Sequence, residues 1–190
     1  MNNYIQYSVV FIAVFLSSCS NISKPEDTKD IAEEHNEAKF NTLASVIDAQ
    51  FLVNVASVNM EEIKLGRYAQ QKSKMPDIVA LAKNLEILHL KSLVEITVLA
   101  KSKLITIPTM PTNETQDAYK SLNRKSGVAF DRAYCDIVVN SHTKAISSFE
   151  QISTETFDKD IKAWTLSMIP SLRTYLDEAI TCQTKYEKLK

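Results

Sequence analysis

Four stretches of this chain repeat apolar side chains at steps of three and four. That period constrains the fold more than any other feature, because only an α-helix turns such spacing into one continuous apolar face. The first stretch, 42–74, carries Phe51, Val55, Val58, Glu62, Leu65 and Ala69 on one stripe. Pro76 and Asp77 then form the first turn of a second helix, which reaches 104 with Ile78, Ala82, Leu85, His89, Leu93, Ile96 and Ala100 in line. Residues 105–113 break the pattern with two prolines, and 114–123 has room only for a short helix. A third long stretch, 127–154, aligns Phe130, Asp131, Tyr134, Val138, His142, Ala145 and Phe149. The fourth, 158–186, aligns Ile161, Met168, Leu172, Tyr175, Leu176 and Ala179, with Trp164 near its start. Pro170 removes a backbone donor there, so the fourth stretch is expected either to kink or to be two shorter helices.

The chain contains only two glycines, Gly66 and Gly127, far fewer than the tight turns of a sheet protein of 190 residues require. The expected class is therefore all-α. Two helical hairpins joined by a long crossover between the second and third helices make a ferritin-like four-helix bundle over 40–190. A net charge of −1 without any run of Lys or Arg argues against nucleic acid as a partner.

The N-terminus reads differently. Residues 1–18 carry no charged side chain and hold a compact apolar stretch, Val9 to Leu16, too short to span a bilayer and of the length of a secretory signal peptide. It ends in Leu16-Ser17-Ser18-Cys19, which resembles a lipobox, so Cys19 is the expected site of lipidation, by palmitate and related acyl chains, and the first residue after cleavage. The signal region lacks the usual Lys or Arg. The competing reading, a buried N-terminal helix with an incidental Cys, is disfavoured because the apolar run stops abruptly at a polar segment. Ser20 follows the Cys, and by resemblance to Gram-negative lipoproteins this implies an outer-membrane anchor facing the periplasm. Residues 19–39 hold six acidic and three basic side chains and almost no large apolar ones, the composition of a flexible polar tether.

The segments EIKLGRYA from Glu62, His89 with its flanks, FDRAY from Phe130 with His142 following, and IPSLRTYLDEA from Ile169 together resemble the family catalogued as domain of unknown function 4142, over residues 48–180. The resemblance implies a ferritin-like helical fold in the cell envelope and no particular reaction. Members commonly have an acidic residue before the second-helix histidine, where this chain has Leu88, and a histidine on the last helix, where it has Tyr175. A metal site shared with the family would be depleted here.

Helix rise places the candidate site. Glu62 and His89 each lie ~20 Å from a turn centred near Met75, and His142 lies ~20 Å from a turn near Glu155, so the three are expected to share one level. Two readings stay open. One is a buried hydrogen-bonded cluster, which the usual pairing of buried polar groups favours. The other is one divalent Fe, Mn or Zn ion held by Glu62, His89 and His142, with Glu86, Tyr134 and Tyr175 lining the pocket. A complete dinuclear centre is not expected, because position 139 is Val where a second Glu-x-x-His would need Glu and the fourth helix offers no such pair. Asp131 is assigned to the N-terminal dipole of its helix. Cys135 and Cys182 fall ~10 Å out of register about Glu155, so their disulfide depends on a bend at Pro170. No catalytic constellation emerges, and the function expected is that of a membrane-anchored binding or structural module, its protein or small-molecule partner unspecified, with a metal-binding or vestigial redox protein as the alternative.

Overall fold

The computed structural model describes residues 26–188; the signal segment 1–18, Cys19 and the start of the polar segment lie outside the described residues. Those residues form six α-helices, and none of them is in a strand: α1 Thr28–Lys39, α2 Leu43–Lys72, α3 Pro76–Ser102, α4 Asn113–Asn123, α5 Gly127–Glu155 and α6 Lys159–Glu187. The long helices begin where the sequence supplies caps. Thr42 and Asp158 accept backbone N–H bonds at the starts of α2 and α6, and Pro76 opens α3, where its missing donor costs nothing. α3 ends in a Schellman motif, Leu104 N–H donating to Lys101 O and Ile105 N–H to Ala100 O, with Leu104 taking the left-handed φ of 59° that usually calls for glycine.

α2 pairs with α3 and α5 pairs with α6, and the two hairpins meet through α2 against α5 and α3 against α6. α2 is the central helix, touching α1, α3, α4 and α5, which explains why it is apolar around most of its girth. Among the described residues it alone is long and apolar enough to cross a membrane, yet half of its most apolar window is buried within the protein. α6 runs unbroken through Pro170, which lies on the exposed face. The expectation of two shorter helices is not met.

The larger correction concerns residues 28–39. They are helix α1, not tether, and α1 packs on α2. Only Ala32 and Asn36 of this helix are buried, so hydropathy gave no sign of it. Hydrogen bonds hold it instead. Asn36 donates from Nδ2 to Thr106 O and accepts at Oδ1 from Thr106 N, both at 2.8 Å, while Asp27 accepts from Asn113 N at 2.7 Å. The crossover that α1 rests on is thereby given partners for backbone groups that no regular ladder satisfies.

The apolar interior is in two parts. One cluster gathers Leu65, Leu85, Phe130, Tyr134, Val138 and Tyr186 at one end. The other gathers Phe51, Leu52, Ala56, Ile96, Phe149 and Leu172 at the opposite end. Between Ala56 and Leu65 on α2, Leu85 and Ile96 on α3, and Val138 and Phe149 on α5, neither cluster has a fully buried member. Those gaps hold Asn59, Glu62, His89, Ser92 and His142, all buried.

Candidate polar tier and cleft

The helices thus place a polar tier between two apolar ends. The rings of His89 and His142 meet edge to face with centroids 5.5 Å apart, so the level expected from helix rise holds across both hairpins. His89 Nδ1 lies 2.8 Å from Asn59 Oδ1, and Asn59 Nδ2 donates to the Ser92 hydroxyl at 2.9 Å. Since Asn59 presents its carbonyl oxygen, His89 must donate from Nδ1, leaving Nε2 as the lone-pair nitrogen. His142 is set the same way, its Nδ1 donating to Val138 O at 3.1 Å. Both Nε2 atoms are buried with no hydrogen-bond partner among the described residues, as are both carboxyl oxygens of Glu62 and the Tyr134 hydroxyl.

Burial sets the charges. Desolvation pushes the Glu62 carboxyl up to about 8, with the nearby Ser141 hydroxyl pulling weakly the other way. Desolvation carries His89 down to about 3, helped by the neighbouring His142, and His142 itself down to about 4, against the Val138 carbonyl. Near neutral pH the tier therefore holds a protonated carboxyl and two uncharged imidazoles. Keeping every member neutral avoids the several kcal/mol that an unpaired buried ion would cost. The Tyr134 hydroxyl is held protonated by burial and by Glu62.

Of the expected site residues, Glu62, His89, His142 and Tyr134 are buried between the helices. Glu86 is not among them. It lies at the surface, where Arg67 donates to one carboxylate oxygen at 2.6 Å and Gln70 to the other at 2.7 Å, and these bonds hold it below the usual carboxylate range. A step of three residues rotates a side chain ~60° off the face of His89, enough to reach α2's flank instead of the interior. Tyr175 is partly buried against the apolar cluster below the tier. Asp131 lies beyond the first turn of α5 and is buried with one oxygen unpartnered, so it does not serve the helix dipole as expected. Among the described residues no three His, Cys, Asp or Glu side chains are grouped so that they could hold a metal ion. The trio shares a level but not a coordination sphere.

A cleft with a cavity volume of about 420 Å³ opens beside the tier. His89, Asn59, Ser92 and Ser141 form its polar wall, and Val55, Phe149, Met168 and Leu172 its apolar floor. Glu61 and Lys144 line it as well, and burial raises the Glu61 carboxyl. Asn59, Ser92 and Ser141 were not anticipated from sequence. Asn59 sits three residues before Glu62 and Ser92 three after His89, so a polar residue at helical spacing from another buried polar one was the available signal.

Residues 33–181 match the family model described as Domain of unknown function (DUF4142). No curated protein and no solved structure matches the chain.

Proposed function

The chain belongs to the DUF4142 family, and from its own residues we propose that it is a lipid-anchored envelope protein whose ferritin-like four-helix bundle binds a small amphipathic molecule in the cleft beside His89. The cleft carries this reading. Its volume falls in the range of small-molecule sites, and it sets a few convergent polar groups over an apolar floor, the arrangement that orients a ligand with one polar end. Anchoring rests on the Leu16-Ser17-Ser18-Cys19 pattern, because acyl chains on Cys19 hold a protein to a bilayer through ~0.8 kcal/mol per buried methylene. Cys19→Ala is expected to move the protein from the membrane to the soluble fraction and abolish palmitate incorporation; unchanged fractionation would remove the anchor.

The ligand reading is tested on the Cys19→Ala chain. Trp164, the single tryptophan, packs on Phe149 at 5.5 Å between centroids, so its emission reports the cleft floor. Titration with anilinonaphthalene sulfonate, itself amphipathic, is expected to show one saturable site. Ala145→Phe, which fills the cleft, is expected to weaken it by at least about tenfold at an unchanged melting temperature. Equal binding by the two chains would overturn the reading.

A second reading has one observation in its favour. Two neutral imidazoles with protons fixed on Nδ1 by Asn59 and Val138 offer Nε2 as metal ligands do. For His89, His142 and a deprotonated Glu62 to hold Fe, Mn or Zn, the three side chains would have to draw together from the positions they occupy here, which do not form a coordination sphere. Elemental analysis after metal-replete growth is expected, on that reading, to find near-stoichiometric metal that His142→Ala removes; metal-free protein discards it.

A further inference from the structure

The register of α5 against α6 brings two cysteines together. Arg132 on α5 donates to Tyr186 O on α6 at 2.9 Å, and Gln183 on α6 donates to Asp136 on α5 at 2.8 Å. Cys135 lies between these two ties and Cys182 one residue past the second, and both are buried in the same apolar cluster. Both are free thiols. The turn explains why they meet. α5 ends at Glu155 and α6 begins at Lys159, so the hairpin is centred near Phe157, and about that point the two cysteines differ by only ~4.5 Å along the axes, a stagger that side-chain lean covers. No bend at Pro170 is needed.

We propose that Cys135 and Cys182 are a dithiol that closes into an intramolecular disulfide, stapling α5 to α6, when the protein meets a disulfide donor such as glutathione disulfide or an oxidised protein dithiol. The two thiols are not equivalent. Cys135 is fully enclosed, whereas Cys182 is 8% exposed and lines a surface groove of about 300 Å³ with Asp77, Asn84 and Lys185. Cys182 therefore attacks first. Its thiolate displaces one thiolate from the donor, forming a mixed disulfide; Cys135 then attacks the Cys182 sulfur, its proton leaving with the second released thiol. Two electrons pass from the protein thiols to the donor, and one disulfide is exchanged for another. The electrostatics agree with this order. The neighbouring Cys135 thiol holds the Cys182 thiol below its usual value with help from Lys185, while Cys135 is pushed up by Cys182 and by burial.

The test uses the full chain, reduced, desalted and equilibrated with a series of reduced and oxidised glutathione mixtures, then acid-quenched, alkylated and digested with trypsin. The expected product links peptides 133–144 and 174–185, two hydrogens lighter than the sum of the free peptides, and raises the melting temperature by about 5–10 °C. Cys135→Ala, which lacks the resolving thiol, is expected to accumulate glutathione on Cys182. Cys182→Ser is expected to leave Cys135 unmodified while folded, and circular dichroism verifies that each variant is helical. Free Cys135 and Cys182 in a large excess of glutathione disulfide, a wild-type reaction that stops at the Cys182 mixed disulfide, or cross-links to Cys19 in place of the 135–182 pair would each overturn the proposal.

Discussion

Folding stability is expected to peak near pH 6.5 and to decline on both sides of it, because the polar tier holds its carboxyl and its imidazoles uncharged. The two sides have opposite origins. His89 and His142 have folded pKa values depressed to about 3 and about 4 from 6.5, so their contribution is complete above 6.5 and is lost as the pH falls and the unfolded chain alone takes up protons. Glu62 has its folded pKa raised from 4.5 to about 8, so its contribution is complete below 4.5 and is lost as the pH rises towards 8 and the unfolded chain alone releases a proton. Between 6.5 and 4.5 the unfolded state binds two histidine protons against the single Glu62 proton of the folded state. The net of one proton lowers stability by ~1.4 kcal/mol per pH unit, or about 3 kcal/mol over that interval. From 6.5 to 8 only the Glu62 difference remains, and stability falls by about 2 kcal/mol.

Urea unfolding followed by Trp164 emission and circular dichroism from pH 4 to 9 measures the profile, and two substitutions isolate the tier from the other titrating groups. Glu62→Gln replaces a protonated carboxyl with a neutral group of the same shape, so it should flatten the decline between pH 6.5 and 8 and roughly double the slope between 4.5 and 6.5, where the Glu62 proton no longer offsets one of the two histidine protons. His89→Gln should remove one proton from the acid side, bringing the slope between 4.5 and 6.5 close to zero. If Glu62→Gln loses stability with rising pH as steeply as the parent, Glu62 is ionised in the folded protein and the neutral tier does not exist.

The tier was legible in sequence because it depends on two regular quantities, the period of the helix and the position of the turns. Pro76 marked the α2–α3 turn closely, so Glu62 and His89 were assigned the same level, and the 5.5 Å contact between His89 and His142 shows how little the second turn had to be adjusted for that pair. For Cys135 and Cys182, which face each other across that turn, a two-residue shift of its centre counts once on each helix and displaces the apparent register by ~6 Å, twice the shift it gives His142 alone. The stripe drawn on α2 was also too narrow. As the central helix it buries Ala49, Leu52, Val53, Asn59 and Ile63 besides the columns that were marked, and a single stripe cannot represent a helix with neighbours on several sides. Glu86 was misplaced for a third reason: its partners Arg67 and Gln70 belong to another helix, and spacing within α3 carries no information about them.

α1 shows the same limit most clearly, and Asn36→Ala measures it. Asn36 is 5% exposed and returns both hydrogen bonds to Thr106, as a neighbouring strand would, so truncation at Cβ strands one part-buried donor and one part-buried acceptor of the crossover together. Each unsatisfied backbone group costs ~1–3 kcal/mol, which sets an expected loss of about 3 kcal/mol when partial access of water is allowed for. Glu37→Ala, one residue on and exposed, should stay within about 0.5 kcal/mol of the parent. The effect should also be local before it is global. A polar helix of 12 residues has too little propensity to persist alone, so α1 without its Asn36 contact should open ahead of the long helices, and limited proteolysis should cut within 28–42 at a urea concentration where the parent resists. An Asn36→Ala chain with parental stability and parental protease resistance would mean that Ala32 packing alone docks α1, and that the paired bonds to Thr106 contribute nothing beyond what water supplies.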